Sequence, residues 1–184
     1  MNIHKRGLKK IKNNLDVLHG LLSKNRKITT STKGLGISFV NKNAKYNVIK
    51  VCNPYCGPCA KAHPVLDGLV EREKIDLQVI FAVSTNKDDI KAKPVGHFLA
   101  IDGQGDKEKI QKALGDWYLT DIKDYDAFAQ KYPMNGELRE QHEKIRAMKQ
   151  WCDTEKITYT PTIFINGHEL PKEYSIEDLG EVLG

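Results

Sequence analysis

The sequence lacks long hydrophobic runs, internal repeats and low-complexity tracts. No stretch approaches the roughly 18 apolar residues of a membrane span, and no apolar segment follows the basic N-terminus as in a signal peptide. A chain of 184 residues can bury most of its apolar surface without cross-links, so its four cysteines are not needed as a disulfide framework. With 40% hydrophobic and 29% charged residues, collagen-like, mucin-like and disordered classes are excluded. We therefore expect one soluble domain with one elaboration at most.

Acidic residues are nearly missing from the first part of the chain. Residues 1–50 contain twelve Lys and Arg but a single acid, Asp16, whereas the remainder contains seventeen Lys and Arg against twenty-three acids. A basic arm of this kind can bind nucleic acid, lie on anionic lipid or be solvated. Because its lysines are scattered and no aromatic residues alternate with them, we interpret the arm as solvated and expect no nucleic-acid partner.

The hydrophobic pattern predicts a strand–helix–strand unit near the middle of the chain. In order, the predicted elements are an amphipathic helix at residues 7–24, a polar linker at 27–34, a short strand at 37–40, a buried strand at 46–52, a helix to about residue 73 and a second buried strand at 77–83. Two buried strands joined by a helix within some thirty residues form a βαβ unit.

The second half of the chain has no strand signal until near its end. Predicted helices begin at Pro94 and span residues 107–117, 125–132 and 137–151; a strand at 162–165, a primed turn at Asn166–Gly167, a short strand at 168–170 and a final helix from Ser175 follow. The chain is therefore predicted to be α/β, with a helical subdomain inserted at about residues 85–155. We place the basic N-terminal helix and linker at 1–35 and the main domain at 36–184.

Two cysteines lie between the first buried strand and the helix that follows it. Cys56 is placed at the helix N-terminus, where unpaired N–H groups and the helix dipole favour a thiolate, the attacking species in disulfide exchange. The two intervening residues, Gly57 and Pro58, allow Cys59 to fold back within one turn. A lone C-x-x-C is a weak signal, because zinc sites use the same spacing.

Two prolines strengthen the redox interpretation. Pro64 lies five residues past Cys59 inside the helix, where thioredoxins have a kinking proline, and Thr160–Pro161 precedes the hairpin, where thioredoxin-fold proteins have a cis-proline. The chain therefore resembles the thioredoxin-fold disulfide oxidoreductases over roughly residues 36–184. Its helical insertion is DsbA-like, and the whole is expected to be a thioredoxin fold with an inserted helical subdomain and an N-terminal helical arm.

The resemblance implies a bacterial thiol–disulfide oxidoreductase acting on protein thiols and disulfides. Cys56 and Cys59 would be catalytic, Tyr55, Gly57 and Pro58 would form the active-site loop, and Thr160 with Pro161 would bind a substrate strand by β-addition. No cofactor or metal is expected, since the dithiol itself carries two electrons. The alternative is a non-catalytic thioredoxin-fold module that only binds a partner.

The segment VCNPYCGPCAKAHPVL, with the later WYL and WC helices, also resembles the thioredoxin-like domain of bacterial vitamin K epoxide reductase fusion proteins. This narrower resemblance implies a membrane redox partner of the vitamin K epoxide reductase type. It also implies a location on the extracytoplasmic (periplasmic) side for a domain excised from such a fusion; without a fusion, the absence of a signal peptide predicts the cytoplasm.

Two residues depart from the thioredoxin pattern. Tyr55 stands where thioredoxins have tryptophan, and Lys50 stands where they have a buried acid that relays a proton for the second thiol. We expect Lys50 to tune the thiolate or replace the relay, with its ammonium reaching toward the strand end.

The cysteines also have interpretations other than a redox site. The spacing of Cys52, Cys56 and Cys59 is also that of a radical-SAM iron–sulfur cluster, but the chain is short for that barrel, and a zinc half-site lacks a second ligand pair. We interpret Cys52 and Cys152 as buried packing residues, with a second redox role for Cys152 left open.

Two further positions near the motif have competing interpretations. His63 is expected to be an exposed helix residue, although it could instead tune the thiolate. Residues 117–119, the WYL stretch, are expected in the core of the helical block, with an apolar substrate groove as the alternative.

Overall fold

The computed structural model describes residues 2–184 and contains eight α-helices and five strands within that range. The elements are α1 (Ile3–Lys12), α2 (Leu15–Lys24), β1 (Ile37–Phe39), β2 (Tyr46–Cys52), α3 (Gly57–Glu71), β3 (Ile75–Phe81), α4 (Ala92–Asp102), α5 (Lys107–Tyr118), α6 (Tyr125–Lys131), a 3₁₀ turn (Glu137–Gln141), α7 (His142–Thr154), β4 (Thr162–Ile165), β5 (His168–Glu169) and α8 (Ile176–Val182). The predicted α/β architecture with a helical insertion is confirmed.

The five strands form one mixed sheet in the order β1-β3-β2-β4-β5. The central strands β2 and β3 are parallel, as the βαβ prediction requires, while the other neighbours pair antiparallel. The buried residues of β2 and β3 explain their nearly continuous apolar sequences. At one end of this sheet, β2 ends in the C-x-x-C loop and β4 begins just after Pro161.

The predicted helix at residues 7–24 is two helices in the structure. Helix α1 ends at Lys12, with Asn13 as its C-cap, and Asn14 begins the second helix, because its side-chain oxygen accepts the N–H of Asp16 at 2.8 Å and caps α2. Helix α2 buries Leu18 and Leu22 in the same core as the sheet, whereas α1 buries no residue. The division of the chain after residue 35 stays a prediction.

The start of α8 agrees with its predicted capping signal, whereas the start of the helix predicted at residues 137–151 does not. Ser175 and Asp178 form the predicted capping box at the start of α8. The predicted helix at 137–151 instead begins with a 3₁₀ turn, after Gly136 adopts a left-handed conformation (φ 104°), and α7 continues to Thr154.

Candidate active site

Cys56 and Cys59 form a disulfide at the N-terminus of α3. Cys56 is the N-cap residue, and its Sγ accepts the backbone N–H of Cys59 at 3.2 Å. Cys56 is partly exposed, whereas Cys59 is fully buried. One sulfur is therefore accessible to a substrate and stands at the positive end of a helix, where a thiolate is stabilised.

A side-chain hydrogen bond of Asn53 and the position of Pro58 fix the conformation of the loop around Cys56. The Asn53 side-chain oxygen accepts the N–H of Tyr55 at 2.9 Å, which reverses the chain directly after β2. Pro58 occupies the second position of α3, where its missing N–H leaves no hydrogen bond unmade. Pro64 lies inside the same helix, as predicted.

The segment before β4 lies against the disulfide. The Thr160–Pro161 peptide bond is cis, which confirms the sequence prediction, and the carbonyl oxygen of Thr160 lies 3.5 Å from Cys56 Sγ. Asn53 joins the two loops, because its Nδ2 donates to Thr160 Oγ1 at 3.2 Å. This role of Asn53 is not predictable from the sequence, in which its only signal is its place beside the motif.

The helical insertion supports the active-site loop from one side. Trp117 Nε1 donates to the Pro54 carbonyl at 2.7 Å, and the Tyr118 hydroxyl donates to the Asn53 carbonyl at 3.2 Å. The ring of Trp117 also meets Tyr55 edge-on, with centroids 5.5 Å apart. Both insertion residues are buried, so they form core as expected. Leu119, the third residue of the WYL stretch, is 64% exposed.

Lys50 lies under the active-site helix and not at the strand end. Its side chain is only 2% exposed, its Nζ donates to the Cys59 carbonyl at 3.1 Å, and the same atom lies 4.6 Å from the centre of the Tyr118 ring. The ammonium therefore does not reach solvent, because Cys59 and Tyr118 offer it partners inside the protein. Burial lowers the pKa of Lys50, and the neighbouring Cys52 opposes that shift.

The two remaining cysteines are buried free thiols. Cys52 Sγ lies 3.4 Å from the Tyr118 hydroxyl oxygen, and burial raises the pKa of this thiol although Lys50 opposes the shift. Burial, with the charge of Asp153, raises the pKa of Cys152 to about 12. Protonated, inaccessible thiols are poor nucleophiles, which agrees with a packing role for both.

His63 lies one turn below Cys59 on α3 and is not the exposed residue that the sequence predicted. Its ring stacks on Tyr118 at a centroid distance of 5.4 Å, and its Nε2 is buried without a hydrogen-bond partner among the described residues. Burial, and next the charge of Lys50, lower the pKa of His63 to about 4. The expectation failed because the insertion covers this face of α3.

This buried histidine predicts a specific loss of stability in mild acid. Since the folded-state pKa of His63 lies near 4 against 6.5 unfolded, the unfolded chain takes up the proton first as the pH falls. The free energy of unfolding should therefore drop by about 2 kcal/mol between about pH 7 and pH 5 through this residue. The variant His63→Phe keeps a ring that can stack on Tyr118 but cannot take up a proton. In urea unfolding, its free energy of unfolding should therefore fall by about 2 kcal/mol less than that of the wild type over the same pH range.

Two comparisons separate this effect from other titrations. The pKa of the buried His97 is also lowered by burial, so part of the slope should persist in His63→Phe. His142→Phe, at an exposed position of α7, is the matched control for exchanging a histidine for phenylalanine. Identical slopes in His63→Phe and the wild type would show that His63 is solvated.

Two grooves adjoin residues of the active-site segments, one at Pro161 and the other at Tyr55. The first, of about 320 Å³, lies beside the cis-proline and is lined mainly by apolar side chains that include Tyr159, Pro161, Ile163, Leu170, Tyr174 and Ile176. The second, of about 480 Å³, lies on the insertion side and is lined by Tyr55, Ile90, Lys93, Ile122, Lys123 and Tyr125 among others. Ile90 and Ile122 are 66% and 81% exposed, which leaves apolar surface next to the active-site loop.

No three or more His, Cys, Asp or Glu side chains within residues 2–184 are grouped to hold a metal ion. In the same range, none of the helices combines the length and apolar character needed to cross a bilayer.

Solved structures of bacterial proteins share this fold. BdbD from Bacillus subtilis in its oxidised form is 12% identical, with a TM-score of 0.64 over 86% of this chain and 96% of that chain. The thiol-disulfide exchange protein alpha-DsbA2 from Wolbachia pipientis is 13% identical, with a TM-score of 0.64 over 100% and 98% of the two chains. DsbA from Mycobacterium tuberculosis in its reduced form is 14% identical, with a TM-score of 0.59 over 77% and 86%.

Comparison of the sequence with known proteins and families identifies a family for most of the chain. No curated protein sequence matches the chain. A thioredoxin family (Thioredoxin_4, described as thioredoxin) matches residues 34–184, which are most of the chain and include the disulfide and the cis-proline. The predicted thioredoxin fold of DsbA-like architecture, with a disulfide in its C-x-x-C segment, is thereby confirmed, and the chain belongs to the thioredoxin family.

Proposed function

We propose that this protein exchanges disulfides with protein substrates through Cys56 and Cys59. The observation that carries the proposal is the disulfide at the N-terminus of α3, with one sulfur partly exposed and the other fully buried. An accessible sulfur is the one that a protein thiolate can reach. The buried sulfur can leave and return without meeting solvent thiols.

In the oxidising direction, a substrate thiolate attacks Cys56 Sγ. A substrate–Cys56 disulfide forms, the Cys56–Cys59 bond breaks, and Cys59 leaves as a thiolate that takes up a proton. A second substrate thiolate then attacks the substrate sulfur of the mixed disulfide and releases Cys56 as a thiolate at the helix N-terminus. The substrate is oxidised by two electrons and the enzyme is reduced by two. The reverse sequence reduces a substrate disulfide.

We assign substrate positioning to Thr160, Pro161 and the groove beside them. The Thr160 carbonyl already faces Cys56 Sγ at 3.5 Å, so a substrate strand pairing with this backbone would bring its own sulfur to the disulfide. The adjoining groove offers apolar side chains for the residues that flank the substrate cysteine. We assign the active-site loop to Tyr55, Gly57 and Pro58, of which Gly57 and Pro58 are exposed.

We assign Lys50 to tuning the thiolate. Its ammonium donates to the Cys59 carbonyl and lies under the active-site turn, so it adds positive charge where the reduced form carries negative charge. A cation in this position favours the reduced enzyme and raises its reduction potential.

Reduction of insulin by dithiothreitol separates catalysis from mere binding. We expect the protein to accelerate precipitation of the insulin B chain, and Cys56→Ser to act no faster than dithiothreitol alone. Cys152→Ser, which removes a buried thiol far along the chain in α7, serves as the control and should retain activity. Equal rates with and without the wild-type protein would instead support the non-catalytic binding module.

Alkylation should identify Cys56 as the reactive thiol of the reduced protein. Iodoacetamide at mildly acidic pH is expected to modify Cys56 before Cys59, Cys52 or Cys152, because only Cys56 combines exposure with the helix N-terminus. Peptide mass spectrometry over a time course measures the order. Equal modification of all four thiols would contradict the stabilisation of one thiolate by the helix.

We further propose an extracytoplasmic site of action and a membrane redox partner of the vitamin K epoxide reductase type. An oxidising role needs a compartment in which disulfides persist. A solved relative of the same fold is described as a periplasmic thioredoxin-like protein from Salmonella enterica, at 13% identity and a TM-score of 0.60 over 91% of this chain and 94% of that chain. The narrower resemblance of the C-x-x-C segment to the fusion proteins supports the partner.

Reoxidation by membranes tests this partner. The reduced protein should recover its Cys56–Cys59 disulfide when mixed with membranes of its source cells and a quinone, and Cys56→Ser should not react. Reoxidation at the rate of dissolved oxygen alone would argue against a membrane partner.

A further inference from the structure

Helix α1 turns its apolar side away from the domain. Ile3, Leu8 and Ile11 are 82%, 55% and 56% exposed, and no residue of the helix is buried. At about 100° per residue, these three side chains fall within one arc of about 140°. An amphipathic helix on a globular domain ordinarily buries such a stripe. In α1, this stripe faces solvent instead.

The polar side of α1 makes the contacts with the domain. Lys9 Nζ lies 3.2 Å from a carboxylate oxygen of Glu181, and Lys12 Nζ lies 3.2 Å from one of Asp178, both on α8. The Tyr174 hydroxyl donates to the Lys12 carbonyl at 3.0 Å. Both lysines fall outside the apolar arc, so these contacts hold the helix with its stripe toward solvent.

The exposed stripe is bordered by cations that have no acidic partner. Within residues 2–184, Lys5, Arg6 and Lys10 form no ion pair, and α1 itself contains no acid. By their helical angles, Arg6 and Lys10 lie on one border of the arc, whereas Lys5 falls between Lys12 and Lys9 on the side that contacts the domain. The helix therefore combines an exposed apolar face with free positive charge along one border.

We propose that α1 lies on an anionic lipid surface, with Ile3, Leu8 and Ile11 entering the interface. Arg6 and Lys10, which border this face, would then meet the headgroup phosphates. A basic amphipathic helix with an open apolar face has the chemistry of an interfacial helix. Nucleic acid would use the cations but not the apolar stripe. A second copy would cover the stripe but would bring two strongly basic helices together.

Such binding would keep the substrate groove near the membrane. Tyr174 connects the two sites, because its hydroxyl bonds α1 and its side chain lines the groove beside Pro161. Lipid binding by α1 does not depend on the chemistry at the disulfide. It would bring substrates or redox partners in the membrane within reach of Cys56.

Sedimentation with lipid vesicles tests the proposal. The full chain should bind vesicles that contain phosphatidylglycerol, bind phosphatidylcholine vesicles far less, and be released by high salt. Replacing Arg6 and Lys10 by glutamine should lower the partition coefficient about thirtyfold. The matched control replaces two exposed lysines elsewhere, Lys42 and Lys87, and should bind like the wild type.

Replacing Leu8 and Ile11 by glutamine should also lower binding, since interfacial insertion needs the apolar face. Both side chains are exposed, so circular dichroism and insulin reduction should remain unchanged in each variant, which separates this test from the proposed redox function. No binding to anionic vesicles, or the same loss in the lysine control, would overturn the proposal. Dimer formation that depends on Leu8 and Ile11, or oligonucleotide binding that depends on the cations, without vesicle binding would assign α1 to that occupant instead.

Discussion

Cys59→Ser should accumulate covalent complexes with substrate proteins, whereas Cys56→Ser should form none and lose disulfide exchange entirely. In Cys59→Ser, Cys56 still forms the mixed disulfide, but no neighbouring thiol remains to displace the substrate. In Cys56→Ser, the remaining thiol is fully buried and cannot be reached. Non-reducing gels of alkylated samples measure the complexes, and mass spectrometry identifies the sulfur involved.

Matched variants test the assignment of the two roles. Cys52→Ser and Cys152→Ser each remove a buried free thiol and should accumulate no complexes. The opposite result for the two active-site variants, with complexes only in Cys56→Ser, would make Cys59 the nucleophile. Complexes in both would show that the buried sulfur becomes accessible in the reduced protein.

The second large effect is expected at Lys50. Lys50→Met keeps the length and apolar stem of the side chain but removes the cation under Cys59. The reduced form then loses a favourable charge near its thiolate, while the disulfide loses little. We expect the wild-type potential at roughly −210 to −250 mV, and a fall of about 30 mV for each tenfold loss of reduced-state stability.

Equilibration against glutathione buffers measures both potentials, and the thiolate pKa of Cys56 should rise in the same variant. Lys61, an exposed lysine on α3, provides the control, since Lys61→Met removes an equal charge in solvent and should leave the potential nearly unchanged. Lys50→Glu should lower the potential further than Lys50→Met. An unchanged potential in Lys50→Met would mean that Lys50 is uncharged in the reduced enzyme.

Several features of this site were predictable because their signals are local in the sequence. The end of β2, the two cysteines, Pro58 and the start of α3 all lie within about a dozen residues of one another. Likewise, Asp178, which completes the capping box of α8, follows Ser175 by three positions. The cis peptide at Thr160–Pro161 followed from its position before a recognisable hairpin. Hydrophobic runs likewise identified β2 and β4, although β3 begins two residues earlier than predicted.

Other features depended on contacts between distant segments. Asn53 bridges two loops whose residues are 107 positions apart, and no pattern around Asn53 indicates its partner. His63 has the sequence surroundings of an exposed helix residue, but Tyr118 from the insertion covers it. The side-chain direction of Lys50 depended on the carbonyl of Cys59 and on the same tyrosine ring.

The sequence by itself determined the fold class, the redox pair and the cis-proline, because chain neighbours encode each of them. Only the tertiary structure decided what surrounds the disulfide and which way α1 faces. The periodicity of α1 shows that the helix is amphipathic, but its orientation came from the acids of α8, which attach its lysines and leave its apolar side open. Burial and charge pairing across the fold depend on which segments meet, and local patterns do not carry that information.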